Sequence, residues 1–149
     1  MKRYFYLSLA TAVLITASSV CAQAQSRNRQ RLIVEVPFGF NAGSTQLPAG
    51  EYNVSVVNPS SSQSVVLINS SDGQSSVMLG TIDIIGRATS RAKLIFRRYD
   101  SQYFLAQVWM ASDSTGMSTK YSKAEKSLRK QLRVSNQNTD VVAVNARWK

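Results

Sequence analysis

Residues 92–111 read AKLIFRRYDSQYFLAQVWMA, and this stretch decides the fold class. Ala92 to Tyr99 and Tyr103 to Ala111 are two runs rich in aromatic and β-branched residues, joined by Asp100, Ser101 and Gln102. Two such runs with so short a polar joint predict a β-hairpin. Upstream, LIVEVPFGF places Leu32, Val34, Val36, Phe38 and Phe40 at every second position, the period of a half-buried strand. Pro37 lacks the N–H a ladder needs, which predicts an edge or a bulge there. Asn41 to Gly50 is a turn-rich connection, with Pro48 and Gly50 suited to a tight turn. Glu51 to Asn58 alternates again, with Tyr52, Val54 and Val56 on one face.

Asn58 to Ser64 is a loop and Val65 to Asn69 a short apolar strand. Ser70-Ser71-Asp72-Gly73 is hairpin chemistry, because glycine accepts positive φ and aspartate bonds its own backbone. In Ser75 to Ile85 the apolar phase slips from Val77 and Leu79 to Ile82 and Ile84, which predicts a bulge at Gly80. Arg87 to Arg91 is a polar connection, and Ser112 to Thr119 reads as a loop. Then the period changes. Ser122 and Glu125 match a capping box, and Tyr121, Ala124, Leu128 and Leu132 follow at helical spacing, predicting one amphipathic helix near 122–133. After a break at Asn136 to Asp140, residues 137–149 form a tail or a last strand carried by Val142, Val144 and Ala146. The expectation is a mainly β chain: an antiparallel β-sandwich or small barrel of about six strands over 32–136, with one C-terminal amphipathic helix.

The chain has 149 residues, a hydrophobic share of 44% and a charged share of 17%, ordinary values for one globular domain. It has no histidine and a single cysteine, Cys21. Histidine is the commonest general base and metal ligand, so most familiar catalytic and metal constellations are excluded, and neither a metal nor another cofactor is expected. Lys2 and Arg3, the apolar stretch Tyr4 to Val20 and the A-x-A of Ala22-Gln23-Ala24 read as a secretory signal peptide over 1–24, directing export to the periplasm or the medium. The stretch carries Ser8, Thr11, Thr16, Ser18 and Ser19 and falls short of the ~20 apolar residues a spanning helix uses. Cleavage after Ala24 removes Cys21, so the mature chain has no disulfide.

Charge is polarised. Residues 25–31, with Arg27, Arg29 and Arg31, form a flexible basic lead-in. Leu32 to Gly86 holds no lysine or arginine and is net −4, whereas Arg87 to the end is net +9. Such asymmetry speaks to partners and association.

The runs VPFGFNAGSTQLPAGEYNV, LIFRRYDSQYFLAQVW and SKAEKSLRK resemble a group of small exported proteins of unassigned function, abundant in Acidobacteria. Their pattern is V-P-F-x-F, then L-P-A-G-x-Y-x-V, then L-x-F-x-R-Y-x-x-x-Y-F-L-x-x-V-W, then S-x-x-E-x-x-L. Here it falls on Val36, Pro37, Phe38, Phe40, Leu47 to Gly50, Tyr52, Val54, Leu94, Phe96, Arg98, Tyr99, Tyr103 to Leu105, Val108, Trp109, Ser122, Glu125 and Leu128. The resemblance covers nearly all of the mature chain. It implies export and a small β-rich fold, and brings no substrate or catalytic residue. Arg97 departs from it, since many members carry a histidine there.

Candidate chemistry is sparse. Ser90 to Lys93 and Ser127 to Lys130 match S-x-x-K, but the accompanying S-D-N and K-T-G elements are missing. The eight acids, Glu35, Glu51, Asp72, Asp83, Asp100, Asp113, Glu125 and Asp140, are scattered singly, where glycosidases use a close pair. No catalytic residue is assigned. On the helix, Lys123, Lys126, Lys130 and Arg133 recur at i, i+3, i+7 and i+10, with Lys120 and Arg129 beside them. Together with Arg87, Arg91, Lys93, Arg97 and Arg98 of the hairpin region they form a candidate anion-binding set. Tyr99, Tyr103, Phe104 and Trp109 are candidate aromatic contacts or plain packing residues. The expectation is a non-enzymatic exported module binding an anionic lipid, lipopolysaccharide or acidic polysaccharide, with nucleic acid disfavoured by export. The alternative is a hydrolase acting on carbohydrate or peptidoglycan through Asp or Glu.

Overall fold

The computed structural model describes residues 31–58, 63–134 and 139–148. The stretch read as a signal peptide and all of the basic lead-in except Arg31 lie outside them. Ten strands and one helix follow in order: β1 Arg31–Val36, β2 Phe40–Ala42, β3 Thr45–Leu47, β4 Gly50–Val56, β5 Val65–Ser70, β6 Ser76–Ile85, β7 Lys93–Tyr99, β8 Gln102–Trp109, β9 Thr115–Thr119, α1 Lys123–Val134 and β10 Asp140–Trp148. Neighbours run β8-β7-β10-β1-β4-β5-β6-β9, and β9 pairs back onto β8. Eight antiparallel strands therefore close into a barrel. The short hairpin β2–β3 lies outside the ring, with β2 running parallel to β8 at Phe40↔Tyr103.

Closure follows from the alternation. Leu32, Val34 and Val36 of β1, Tyr52, Val54 and Val56 of β4, Val66 and Ile68 of β5, and Leu94 and Phe96 of β7 are all buried, and they fill the lumen. Burying such a side chain is worth roughly 1.5 to 3 kcal/mol, so a filled lumen supplies the stability that disulfides supply elsewhere. Aromatic rings plug the end near β2, with Phe40 edge-on to both Tyr52 and Phe96 at 5.2 Å. Among the described residues no buried side-chain polar atom lacks a hydrogen-bond partner.

The strand count exceeds the expected six for specific reasons. The connection Asn41 to Gly50 contains β2 and β3, three residues each, joined through Gly43 at φ +64°. The loop Ser112 to Thr119 contains β9, a polar strand that is pulled into place when Thr119 Oγ1 donates to the Leu105 carbonyl at 2.6 Å. Arg31 opens β1 instead of belonging to the lead-in. Residues 140–148 are a central barrel strand, between β7 and β1.

Two local expectations are corrected. Pro37 does not interrupt the strand: it follows Val36, the last residue of β1, which pairs on both sides over Leu32–Val34 and with β4 alone at Glu35 and Val36. No bulge interrupts β6 at Gly80. Val77, Leu79 and Thr81 keep one phase toward the lumen, while Ile82 sits outside at 46% exposure. At Gly80 the strand instead changes partner, from β5 over 76–80 to β9 over 81–85. The irregularity lies in the hairpin, where Phe96 pairs with Leu105 and Ile95 with Gln107, leaving Ala106 as the extra residue. That bulge bends β8 and lets its far end pair with β9.

Candidate functional site

β7 turns Lys93, Ile95, Arg97 and Tyr99 outward by its period of two. α1 packs over the Tyr99 end of this face, held by a buried polar cluster. Glu125, 2% exposed, receives Arg97 Nε at 2.5 Å and Arg97 Nη2 at 3.3 Å, and Tyr99 Oη donates to the same carboxylate at 3.1 Å. The guanidinium groups of Arg97 and Arg129 both lie over the Tyr121 ring, 4.2 and 4.3 Å from its centroid. Burial, then the Glu125 charge and its hydrogen bond, push the Tyr99 hydroxyl up to about 12. It stays a donor throughout the neutral range.

The helix start is half of a capping box. The Ser122 hydroxyl accepts the Glu125 N–H at 3.1 Å, but the Glu125 carboxylate turns away to Arg97 and Tyr99. Its position had a second meaning in the sequence. Tyr121, Glu125, Leu128 and Leu132 recur at i, i+4, i+7 and i+11, so the acid lies on the stripe facing the barrel, while Ala124 is exposed.

The consequence is on the opposite side of the helix. Lys123, Lys126, Lys130 and Arg133 are exposed, as is Lys120 just before the helix, and Arg129 is half-buried against Tyr121. At 1.5 Å per residue, Lys123 to Arg133 covers about 15 Å of helix. The one carboxylate of α1 is spent internally, so the outward face carries cations and neutral residues alone.

The hairpin cations do not join this face as one patch. Arg97 is committed to Glu125, and Arg98 bonds Asp140 across the β7–β10 pair. That bond, and the field of Asp140, hold the Arg98 guanidinium more firmly in its charged form. Arg87 and Arg91 are exposed and Lys93 half-buried, at the other end of β7. The aromatic set is dispersed as well. Tyr99 is buried under α1 with its ring edge-on to Phe104 at 5.7 Å, and Tyr103 stacks on Phe38 at 3.8 Å. Trp109 lies against Gly116 and Gly86, where an added Cβ would stand 2.6 and 2.4 Å from its indole atoms. In these contacts the four rings pack against neighbouring rings and glycines.

A groove of about 390 Å³ opens on the β1–β10 seam, lined by Ile33, Glu35, Arg91, Asn145, Ala146 and Arg147. Beside it, Glu35 and Glu51 stand directly opposite each other across β1 and β4, so these two acids are not isolated as the linear order suggests. Glu51 accepts from Arg147 Nη2 at 3.0 Å and from Ser71 Oγ at 2.9 Å. Both carboxylates are exposed. Among the described residues no three acids or cysteines cluster to hold a metal ion, and no helix is long and apolar enough to cross a membrane. Comparison of the chain with protein-family models, curated proteins and solved structures finds no match in any of the three.

Proposed function

We propose that this is an exported, non-enzymatic barrel that presents α1 as a cationic face to a polyanionic surface or polymer in the cell envelope or the medium. The observation that carries the reading is the inward turn of Glu125, which leaves Lys123, Lys126, Lys130 and Arg133 on a face with no acid. Basic residues held near an anionic surface each contribute about 1 kcal/mol, and four on one rigid turn-matched row act together. Export rests on the pattern of Lys2 to Ala24.

The competing hydrolase reading draws on the Glu35 and Glu51 juxtaposition. General acid catalysis by a carboxyl uses shielding from water, and both of these side chains are exposed, one of them held by Arg147. The test is binding of the exported protein to heparin and to vesicles with and without anionic lipid. Retention that falls steeply with salt, and is lost in the Lys126→Glu/Lys130→Glu variant, is expected. Salt-independent retention, or release of reducing ends from a polysaccharide, would contradict the reading.

A further inference from the structure

β10 changes partners along its length. It pairs with β7 from Asp140 to Asn145 and with β1 from Ala146 to Trp148. The β1–β10 register ends at Val34↔Ala146, so Glu35 lies beyond the last pair and the outer surface opens there into the groove. Its volume of about 390 Å³ lies at the small end of ligand-sized clefts, which run roughly 300 to 1,000 Å³.

The walls are fixed by hydrogen bonds. Thr89 Oγ1 donates to the Arg91 carbonyl at 2.8 Å, Ser112 N–H donates to the Thr89 carbonyl at 2.8 Å, and Ala146 N–H donates to the Ala92 carbonyl at 2.8 Å. Arg147 is steadied by Glu51, a pairing that occupies one of its five donors. Arg91 forms no ion pair among the described residues.

We infer that this groove binds one sugar unit of an acidic polysaccharide, and so names the polymer that the cationic helix face meets. The chemistry on the walls matches such a unit group by group. Arg91 and Arg147 offer forked donors to a carboxylate or sulfate. The Glu35 carboxylate and the Asn145 amide suit ring hydroxyls, and Ile33 presents an apolar surface to the C–H face of a pyranose. Of the six lining residues, Arg91 and Arg147 carry the positive charge that selects an acidic sugar over a neutral one.

Asn145 pairs with Lys93, which lies four residues along β7 from Arg97, the residue that holds Glu125. At about 3.3 Å per residue that is roughly 13 Å, so the groove and the helix clamp stand apart on the outer face of β7, a gap that a polysaccharide of several units spans.

This inference rests on the proposed polyanion binding, and the experiment separates the two. Backbone amide shifts of the mature protein are followed during titration with oligogalacturonate, a neutral oligosaccharide of equal length, and anionic vesicles. Oligogalacturonate is expected to move Asn145, Ala146 and Arg147 as well as α1, and the neutral sugar neither. Arg91→Gln is expected to weaken oligogalacturonate binding roughly tenfold, the loss of one charge-assisted contact, while leaving vesicle binding unchanged. Shifts confined to α1, or unchanged affinity in Arg91→Gln, would overturn the groove assignment and leave the helix reading standing. Groove shifts that persist while Lys126→Glu/Lys130→Glu alters no binding would overturn the helix reading alone.

Discussion

The barrel lumen and the outer surface beneath α1 are both closed to water, yet they are built from opposite chemistry. The lumen is aliphatic and aromatic, and its energy grows with buried area. The surface under α1 is held by one carboxylate, two guanidinium groups and two phenol rings. An apolar core tolerates exchange of similar shapes. A buried ion pair tolerates loss of neither partner alone, because the survivor is left charged and dry. The difference implies that the barrel sets whether the protein folds, and the cluster sets where the helix points its lysines.

Mutations can separate the two. Phe96→Ala, which removes a fully buried ring from the lumen, should lower global stability by about 4 kcal/mol, read as one cooperative denaturation curve moved to lower denaturant. Glu125→Ala should cost about 3 kcal/mol, but locally: amide protection is lost in α1 while the strands keep theirs. The double variant Arg97→Met/Glu125→Leu should recover much of that protection, since apolar packing can replace a buried pair. Loss of strand protection in Glu125→Ala would erase the distinction between the regions.

Smaller effects sharpen it. Gly116→Ala places a methyl 2.6 Å from the Trp109 ring, and should destabilise the barrel by about 2 kcal/mol through overpacking, with a change in tryptophan fluorescence. The weakest effect is at high pH. Tyr99 titrates near 10 when unfolded and at about 12 when folded, so between these values the unfolded chain holds fewer protons. Its contribution is fully present below pH 10 and is lost as pH rises toward 12. Alkaline unfolding monitored by circular dichroism should show this loss in the wild type and a shallower one in Tyr99→Phe.

What was legible in the sequence follows the same division. The lumen could be read from period-two runs, because Leu32, Val34 and Val36, or Tyr52, Val54 and Val56, leave an antiparallel sheet no other face to bury. β2, β3 and β9 were hidden because strands of three to five residues are too short to show an alternating period, and Asn41, Thr45, Gln46, Thr115, Gly116 and Ser118 among them read as turn residues. The basic row of α1 was legible by spacing. Glu125 was not read as a clamp because the capping-box pattern already accounted for it, and its true partner is 28 residues away at Arg97. The groove assembles Ile33 and Glu35, Arg91, and Asn145 to Arg147, three segments that only strand pairing brings together.

On the proposed function, the outward row of α1 binds polyanions by charge. The direct measurement is heparin affinity as a function of salt for the wild type and for Lys123→Gln/Lys126→Gln/Lys130→Gln. The wild type should weaken linearly in log affinity against log salt, as charge neutralisation with counterion release requires. The variant should bind more weakly and with a clearly flatter slope, its circular dichroism unchanged. Equal slopes and equal affinities in the two proteins would show that the lysines of α1 do not carry the binding.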